Sequence, residues 1–319
     1  MMKKIATVLG ATGGMGYWLV KECLRHGYHV RAVARSQTSL EQLFPNHPEL
    51  SFIHGDVMNE ETVQQTCKNA SVVYHAVNVP YREWESKQIP MMTSILKGTI
   101  GLAKRLVLIH PVYSYGRSQA DTVSEQHPTE PHTKKGTIRK QMEEMLMQAY
   151  EQGQIEGVII RLPDFYGPNA RNTFLYMILS SLLQKKTAYW LGSTSLEREY
   201  IYVPDAAKAI LQLETQPVLK HTIWNISSGE TITGKEILSI ASKYLGYEAK
   251  VQEIPYWMLK LMGWFHRDMR ELTEMFYLYD SRFILDSQAF RRTFDYLTFT
   301  PMETGIKETL LWMNQLHLR

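Results

Sequence analysis

The chain has 319 residues, 44% of them hydrophobic and 21% charged, with a formal net charge of +3. That is enough apolar material for one large domain or a domain and a half, at the charge content of an ordinary soluble protein. The small net charge argues against a nucleic-acid partner, two cysteines (Cys23 and Cys67) against a disulfide framework or a metal site, and no stretch approaches the roughly 18 apolar residues of a membrane span.

In chain order, "KIATVL" reads as a first buried strand. Its apolar run is too short for a signal peptide and passes directly into glycines rather than a cleavage site, so the reading is a soluble, cytoplasmic protein without a membrane partner. "GMGYWLVKECLRHG" is a helix ending at Gly27, and "HVRAVAR" a second strand. "TSLEQLF" is a short helix capped by Thr38 or Ser39, and "LSFIHGD" a third strand. "NEETVQQTC" is a helix with acidic residues in its first turn, and "SVVYHAV" a fourth strand. "PMMTSILKGTIGLA" is helical and "RLVLIH" a fifth strand; the polar "GRSQADTVSEQHPTEPHTKKG" is a loop, "TIRKQMEEMLMQAYEQG" a long helix and "EGVIIRL" a sixth strand. The strands are short apolar runs without clean alternation, as expected of strands covered on both faces. Strands alternating with helices imply an α/β fold, a Rossmann-type doubly wound parallel sheet. From about Phe165 the spacing loosens. "REYIYV" and "HTIWNIS" read as strands, and "PDAAKAILQLE", "GKEILSIASKYLG" and "TPMETGIKETLLWMNQL" as helices. The division is a dinucleotide-binding domain over 1–165, to which later segments return, and a smaller substrate-binding lobe over 166–319.

"GATGGMG" follows the first strand, with Gly10, Gly13 and Gly16 three apart. A strand, a glycine-rich turn and a helix form a phosphate-binding unit. Small residues let the backbone approach a pyrophosphate, and the helix start offers free N–H groups. Gly10, Ala11, Thr12, Gly13, Gly14, Met15 and Gly16 are therefore cofactor-binding candidates. The competing reading is a tight turn with close helix packing and no ligand.

Together with "GDV" (Gly55 to Val57), "YG" (Tyr115 and Gly116), "RLPDFYGP" (Arg161 to Pro168), "REYIYVPDAAKAI" and "WNISSGETITGKEI", this turn resembles the extended short-chain dehydrogenase/reductase superfamily, the fold of nucleotide-sugar epimerases and dehydratases. The resemblance covers nearly the whole chain in the right order. It implies a dinucleotide in the N-terminal lobe and a substrate cleft against the C-terminal one. It also implies cofactor contacts at Asp56, Val57 and Ala76, and substrate contacts at Tyr166 and Arg198. Asp56 reads equally as a cap for the following helix. At the end of the second strand an acidic residue would select NAD; Ala34 stands there, followed by Arg35, a forked donor suited to a 2′-phosphate. The cofactor reading is NADP, with NAD as the alternative. Arg31 reads as added charge or as a solvated residue.

The superfamily's proton relay uses a serine or threonine, a tyrosine and a lysine four residues after it. Here Lys140 stands in the lysine position, Gly136 four residues before it, and Pro111 in the serine position. "YWLVK" (Tyr17 to Lys21) and "YWMLK" (Tyr256 to Lys260) have the spacing but not the location. A substitute acid is sought after the fifth strand. Tyr113 is preferred, then Tyr115 or His110, with a packed aromatic as the competing reading. Lys140 reads as a relay member or a solvated lysine. In "NVPYREWES", Tyr81 and Trp84 stack on a substrate ring or pack. The functional reading is an enzyme, an oxidoreductase or epimerase/dehydratase acting on a carbonyl or sugar-type small molecule. The alternatives are a non-catalytic NADP(H)-sensing protein that regulates a protein partner, and a scaffold without cofactor. A homodimer is left open.

Overall fold

The computed structural model describes residues 3–216, 219 and 222–317. The first half runs β1 (Ile5–Leu9), α1 (Gly14–Arg25), β2 (His29–Ala34), α2 (Gln37–Leu43), β3 (Leu50–His54), α3 (Glu60–Cys67), β4 (Val72–His75), α4 (Trp84–Thr99), β5 (Arg105–Pro111), α5 (Lys134–Glu151) and β6 (Glu156–Leu162). It continues with β7 (Asp164–Tyr166), α6 (Phe174–Leu183), β8 (Ala188–Leu191), β9 (Glu197–Tyr202), α7 (Val203–Gln212), β10 (Ile223–Asn225), β11 (Thr231–Thr233), α8 (Gly234–Leu245) and β12 (Val251–Ile254). The remaining helices are α9 (Tyr256–Phe265), α10 (Arg267–Thr273), α11 (Tyr277–Asp280), α12 (Gln288–Thr293) and α13 (Met302–His317).

The chain divides into two compact units. One gathers Met1–Ser114, Lys135–Arg161 and Ala207–Trp224. Its seven-stranded parallel sheet has the order β10-β6-β5-β4-β1-β2-β3, a Rossmann-like arrangement. Ala6 of β1 lies opposite Val30 of β2 and Val72 of β4, all three fully buried. Apolar side chains on both faces of these strands are what a sheet covered on both sides demands. The strand order reverses between β1 and β4, the place where open α/β sheets hold ligands beyond their carboxyl ends.

The other unit gathers Tyr115–Lys134, Leu162–Ala206 and Asn225–Arg319. It holds a three-stranded sheet, β11-β9-β7, and a two-stranded sheet, β12-β8. Its core packs Trp190, Tyr166 and Tyr200 with Leu179 of α6, Ile237 of α8 and Ile306 of α13.

Four local expectations are corrected. Helix α5 begins at Lys134, so Lys134, Lys135 and Gly136 belong to it and not to the loop before it, because the buried face of the helix extends back to Lys135. The cap of α2 is Ser36, whose hydroxyl accepts from the Ser39 N–H, not Thr38 or Ser39. Asp56 does not cap α3; Asn59 does, accepting from Glu61 and Thr62, while the Asp56 carboxylate accepts the nearby Met58 N–H. Helix α4 begins at Trp84 and carries Pro90 inside it. Trp84 is 1% exposed and its indole N–H donates to the Val79 carbonyl at 2.9 Å, so tertiary burial starts the helix ahead of the proline.

Candidate functional site

The glycine turn after β1 assigns its three glycines different tasks. Gly10 takes φ +86°, and a Cβ there would lie 2.9 Å from the Ala76 carbonyl oxygen, so the turn crosses the exit of β4 backbone against backbone. The Gly10 and Ala11 N–H groups both donate to the Val33 carbonyl, at 3.0 and 3.1 Å, which fixes the turn to β2. A Cβ at Gly16 would stand 2.1 Å from the Gly10 oxygen, so α1 seats directly on its own turn. Gly13 is different. It is the N-cap of α1, lends no side-chain bond, and a Cβ there meets only the Gly10 oxygen at 3.4 Å. The first turn of α1 holds no acidic residue. First-turn N–H groups have no intrahelical partner, and the helix dipole adds partial positive charge. Ala11 and Met15 turn inward, Thr12 and Gly14 are half-buried, and Gly13 is exposed. The turn fits the pyrophosphate of a dinucleotide: open over Gly13, rich in donors, free of competing carboxylate.

At the end of β2, Ala34 is buried and Arg35 is exposed beside Ser36. Arg31 is not available to a cofactor. Its guanidinium donates to the carbonyls of Thr66 and Lys68, at 2.9 and 2.7 Å, where α3 ends. Asp56 is exposed, Val57 buried and Ala76 half-buried.

Beyond β4 and β5 the same unit assembles a polar cluster. The hydroxyls of Tyr81 and Tyr113 lie 2.6 Å apart. Trp84 packs edge-on against Tyr81 and tilted against Tyr113. The Arg139 guanidinium lies 4.3 Å from the Trp84 ring centre and donates to Asn78 Oδ1 at 3.3 Å. Arg139 is 2% exposed, and burial lowers its pKa to about 10, opposed by the Tyr113 and Tyr81 side chains. Lys135, also buried, holds its ammonium 5.1 Å from the Tyr81 ring centre. His75, at the end of β4, accepts from the Val77 N–H through Nδ1. Burial first, and then the Arg139 charge, lower its pKa to about 3, so its ring is neutral.

The inward face of α5 sets this register. Lys135, Arg139, Met142 and Leu146 share the buried face. Lys140 lies off it, with its side chain 38% exposed and its ammonium 3.9 Å from Glu144. The inward pair four residues apart is thus Lys135 and Arg139, one position before Gly136 and Lys140.

Below the tyrosines, Glu143 gathers a second network. Its carboxylate accepts from Arg161 in bidentate fashion, with Nε at 2.8 Å, and from Ser114 Oγ at 2.8 Å; His110 Nε2 lies 2.8 Å away. Burial works against the Glu143 charge, but the bonds from Arg161 and His110 hold its pKa far below the usual carboxylate range. His110 is held below its ordinary value by burial, which outweighs Glu143. His110 is 3% exposed within this network. In the other unit, Tyr115 is fully buried and its hydroxyl donates to Asn225 Oδ1 at 2.8 Å. Arg198 donates to Asp164 at 2.7 Å and lies 4.2 Å from the Tyr279 ring centre. Tyr166 is 1% exposed, in the core beside Tyr202. No group of metal-ligating side chains occurs among the described residues.

Lys135, Arg139, Asn78 and Glu143 escaped the sequence reading. A signal for two of them exists: running the apolar positions Met142, Leu146 and Ala149 backwards at helical spacing reaches Arg139 and Lys135.

A model of the NAD dependent epimerase/dehydratase family matches residues 6–227. A putative UDP-arabinose 4-epimerase 4 of Arabidopsis thaliana is 25% identical over 289 residues, covering 78% of this chain and 66% of the relative, just under two thirds of its length. The photosystem II assembly factor Ycf39 of Cyanidium caldarium is 23% identical over 85% of this chain and 81% of its own. Among solved structures, UDP-glucuronic acid 4-epimerase from Bacillus cereus, in complex with UDP-glucuronic acid and NAD, superposes with a TM-score of 0.81 at 17% identity, covering 98% of this chain and 99% of that one. That likeness is one of fold.

Proposed function

This chain belongs to the NAD dependent epimerase/dehydratase family, and from that premise we propose that it is an NADP(H)-binding enzyme, an oxidoreductase or epimerase/dehydratase acting on a carbonyl or sugar-type small molecule. The observation that carries the reading is the Tyr81–Tyr113 hydroxyl pair, 2.6 Å apart, with the buried Arg139 beside it. The glycine turn would hold the pyrophosphate on the N–H groups of α1. Arg35, exposed at the end of β2, would meet a 2′-phosphate.

A bound nicotinamide supplies hydride transfer at a carbonyl carbon. Tyr113 then protonates the oxygen that gains charge. The guanidinium of Arg139 favours the phenolate left behind, because an opposite charge stabilises the ionised form. Tyr81, half-buried at the other end of the hydrogen bond, passes a proton back from solvent. Lys140 has no part in this relay, since it points away from α5's buried face.

Tyr113→Phe is expected to lower carbonyl reduction by roughly 10² to 10⁴, the usual size of lost acid catalysis, with NADPH affinity unchanged. Turnover equal to that of the parent refutes the assignment. The second reading, a non-catalytic NADP(H) sensor acting on a protein partner, draws support from the relative named as an assembly factor. It gains if the parent binds NADPH yet reduces no carbonyl or nucleotide-sugar substrate.

A further inference from the structure

The "YWMLK" stretch, set aside as a relay, begins α9, and α9 has an unusual surface. Its inner side is Leu259, 1% exposed, and Gly263. A Cβ on Gly263 would stand 3.0 Å from the Arg270 Cα, so α9 and α10 pack backbone to backbone as a tight hairpin. On the other side Trp257 (64% exposed), Leu261 (47%), Trp264 (77%) and Phe265 (78%) face solvent, with Lys260 exposed among them. These positions fall at i, i+3, i+4, i+7 and i+8, a single helical stripe. Monomeric soluble proteins rarely expose contiguous apolar patches of this kind.

The chemistry of the patch says what covers it. Tryptophan, phenylalanine and leucine with a flanking lysine suit the headgroup layer of a bilayer, where amphipathic rings and cationic tips both find partners. Lys260 is the one charge in α9, and over residues 256–270 three exposed cations, Lys260, Arg267 and Arg270, stand against one exposed carboxylate, Asp268. Glu271 and Glu274, further along, are half-buried. The local charge complements an anionic surface. At ten residues α9 is about 15 Å long, which suits lying in the interface; no described helix is long and apolar enough to cross a membrane. A second copy of the chain is a poorer occupant. A two-fold contact would set this patch against itself and bring like charges at Lys260 together.

We propose that the α9–α10 hairpin docks the protein on an anionic membrane surface, with Trp257, Leu261, Trp264 and Phe265 entering the headgroup layer and Lys260 and Arg270 meeting lipid phosphate. Docking of this kind departs from the expectation of no membrane partner, which rests on the lack of a spanning segment; it is peripheral and reversible, and independent of the cofactor and catalytic readings.

The test is co-sedimentation of the full chain with vesicles of phosphatidylcholine alone and of phosphatidylcholine mixed with phosphatidylglycerol, together with tryptophan emission. Binding to the mixed vesicles is expected, with a blue-shifted emission and weakening as salt is raised. Trp264→Glu combined with Phe265→Glu is expected to abolish binding while the thermal unfolding profile stays that of the parent. Lys260→Glu is expected to weaken it at least about fivefold, the size of one basic side chain near such a surface. No sedimentation with mixed vesicles overturns the proposal, as does equal binding to both vesicle types. A concentration-dependent dimer that the same double substitution dissolves also overturns it, and assigns the patch to a second copy.

Discussion

Replacing Glu143 by alanine probes the network beneath the tyrosine pair. Glu143 is 5% exposed and Arg161 1% exposed, so neither charge has water to fall back on. The carboxylate receives two bonds from Arg161 and one from Ser114, with His110 Nε2 at 2.8 Å. Breaking a buried pair by removing one partner costs about 3 to 5 kcal/mol, because the remaining charge stays desolvated. Glu143→Ala is therefore expected to lose about that much, with Glu143→Gln losing less because it keeps the shape and one acceptor. Urea denaturation followed by far-ultraviolet circular dichroism reads the loss as a lower midpoint. The same carboxylate has a direction in pH. Its folded pKa lies below its unfolded one, so its contribution is present above the ordinary carboxylate range and fades as pH falls. The gap between parent and Glu143→Ala should accordingly narrow at acid pH. A Glu143→Ala protein within about 1 kcal/mol of the parent at neutral pH would show that Glu143 does not neutralise this core.

Three further outcomes concern the site. Gly13→Val is expected to fold and to lose dinucleotide binding, since its Cβ meets ordinary contact at 3.4 Å but fills the anion approach; Gly16→Ala is expected to be destabilised by about 1 to 3 kcal/mol or more, since its Cβ would meet backbone at 2.1 Å. Unchanged calorimetric affinity for NADPH in folded Gly13→Val would remove the turn from the cofactor site. Neutral, buried His75 has a folded pKa of about 3 against an ordinary 6.5, so its contribution is complete above pH 6.5 and declines by about 1.4 kcal/mol per pH unit as the pH falls towards the folded value. The slope of unfolding free energy between pH 6.5 and pH 5 should drop by roughly one proton's worth in His75→Gln; an identical slope counts against a buried neutral ring.

The glycine turn was legible because few residues tolerate a crossing such as Gly10 makes over Ala76, so the chemistry shows directly in the sequence. The first six strands were legible from their apolar runs. Helix α4 was entered late because Pro90 looks like a helix start, and only tertiary burial of Trp84 reveals the true one. Helix α6, "FLYMILSSLL", is apolar nearly all round and carries no periodicity to separate helix from strand. In the site, Arg139 reads as solvated because it is a charged residue on a helix, and Lys135 reads as loop because the polar stretch hides the start of α5; only the packed face of α5 shows both turned inward. Arg31 was left open for a related reason: its carbonyl partners lie at Thr66 and Lys68, far away in sequence.

Titration calorimetry of the parent and Arg35→Ala with NADPH and with NADH tests the cofactor assignment, on which both functional readings stand, most directly. The expected result is tighter binding of NADPH than NADH by the parent, and a selective loss of NADPH affinity in Arg35→Ala. That loss should be roughly tenfold to a hundredfold, the worth of a charge-assisted bond to the 2′-phosphate. Tighter binding of NADH by the parent, an equal loss of both cofactors in Arg35→Ala, or no binding of either by the folded parent would contradict it.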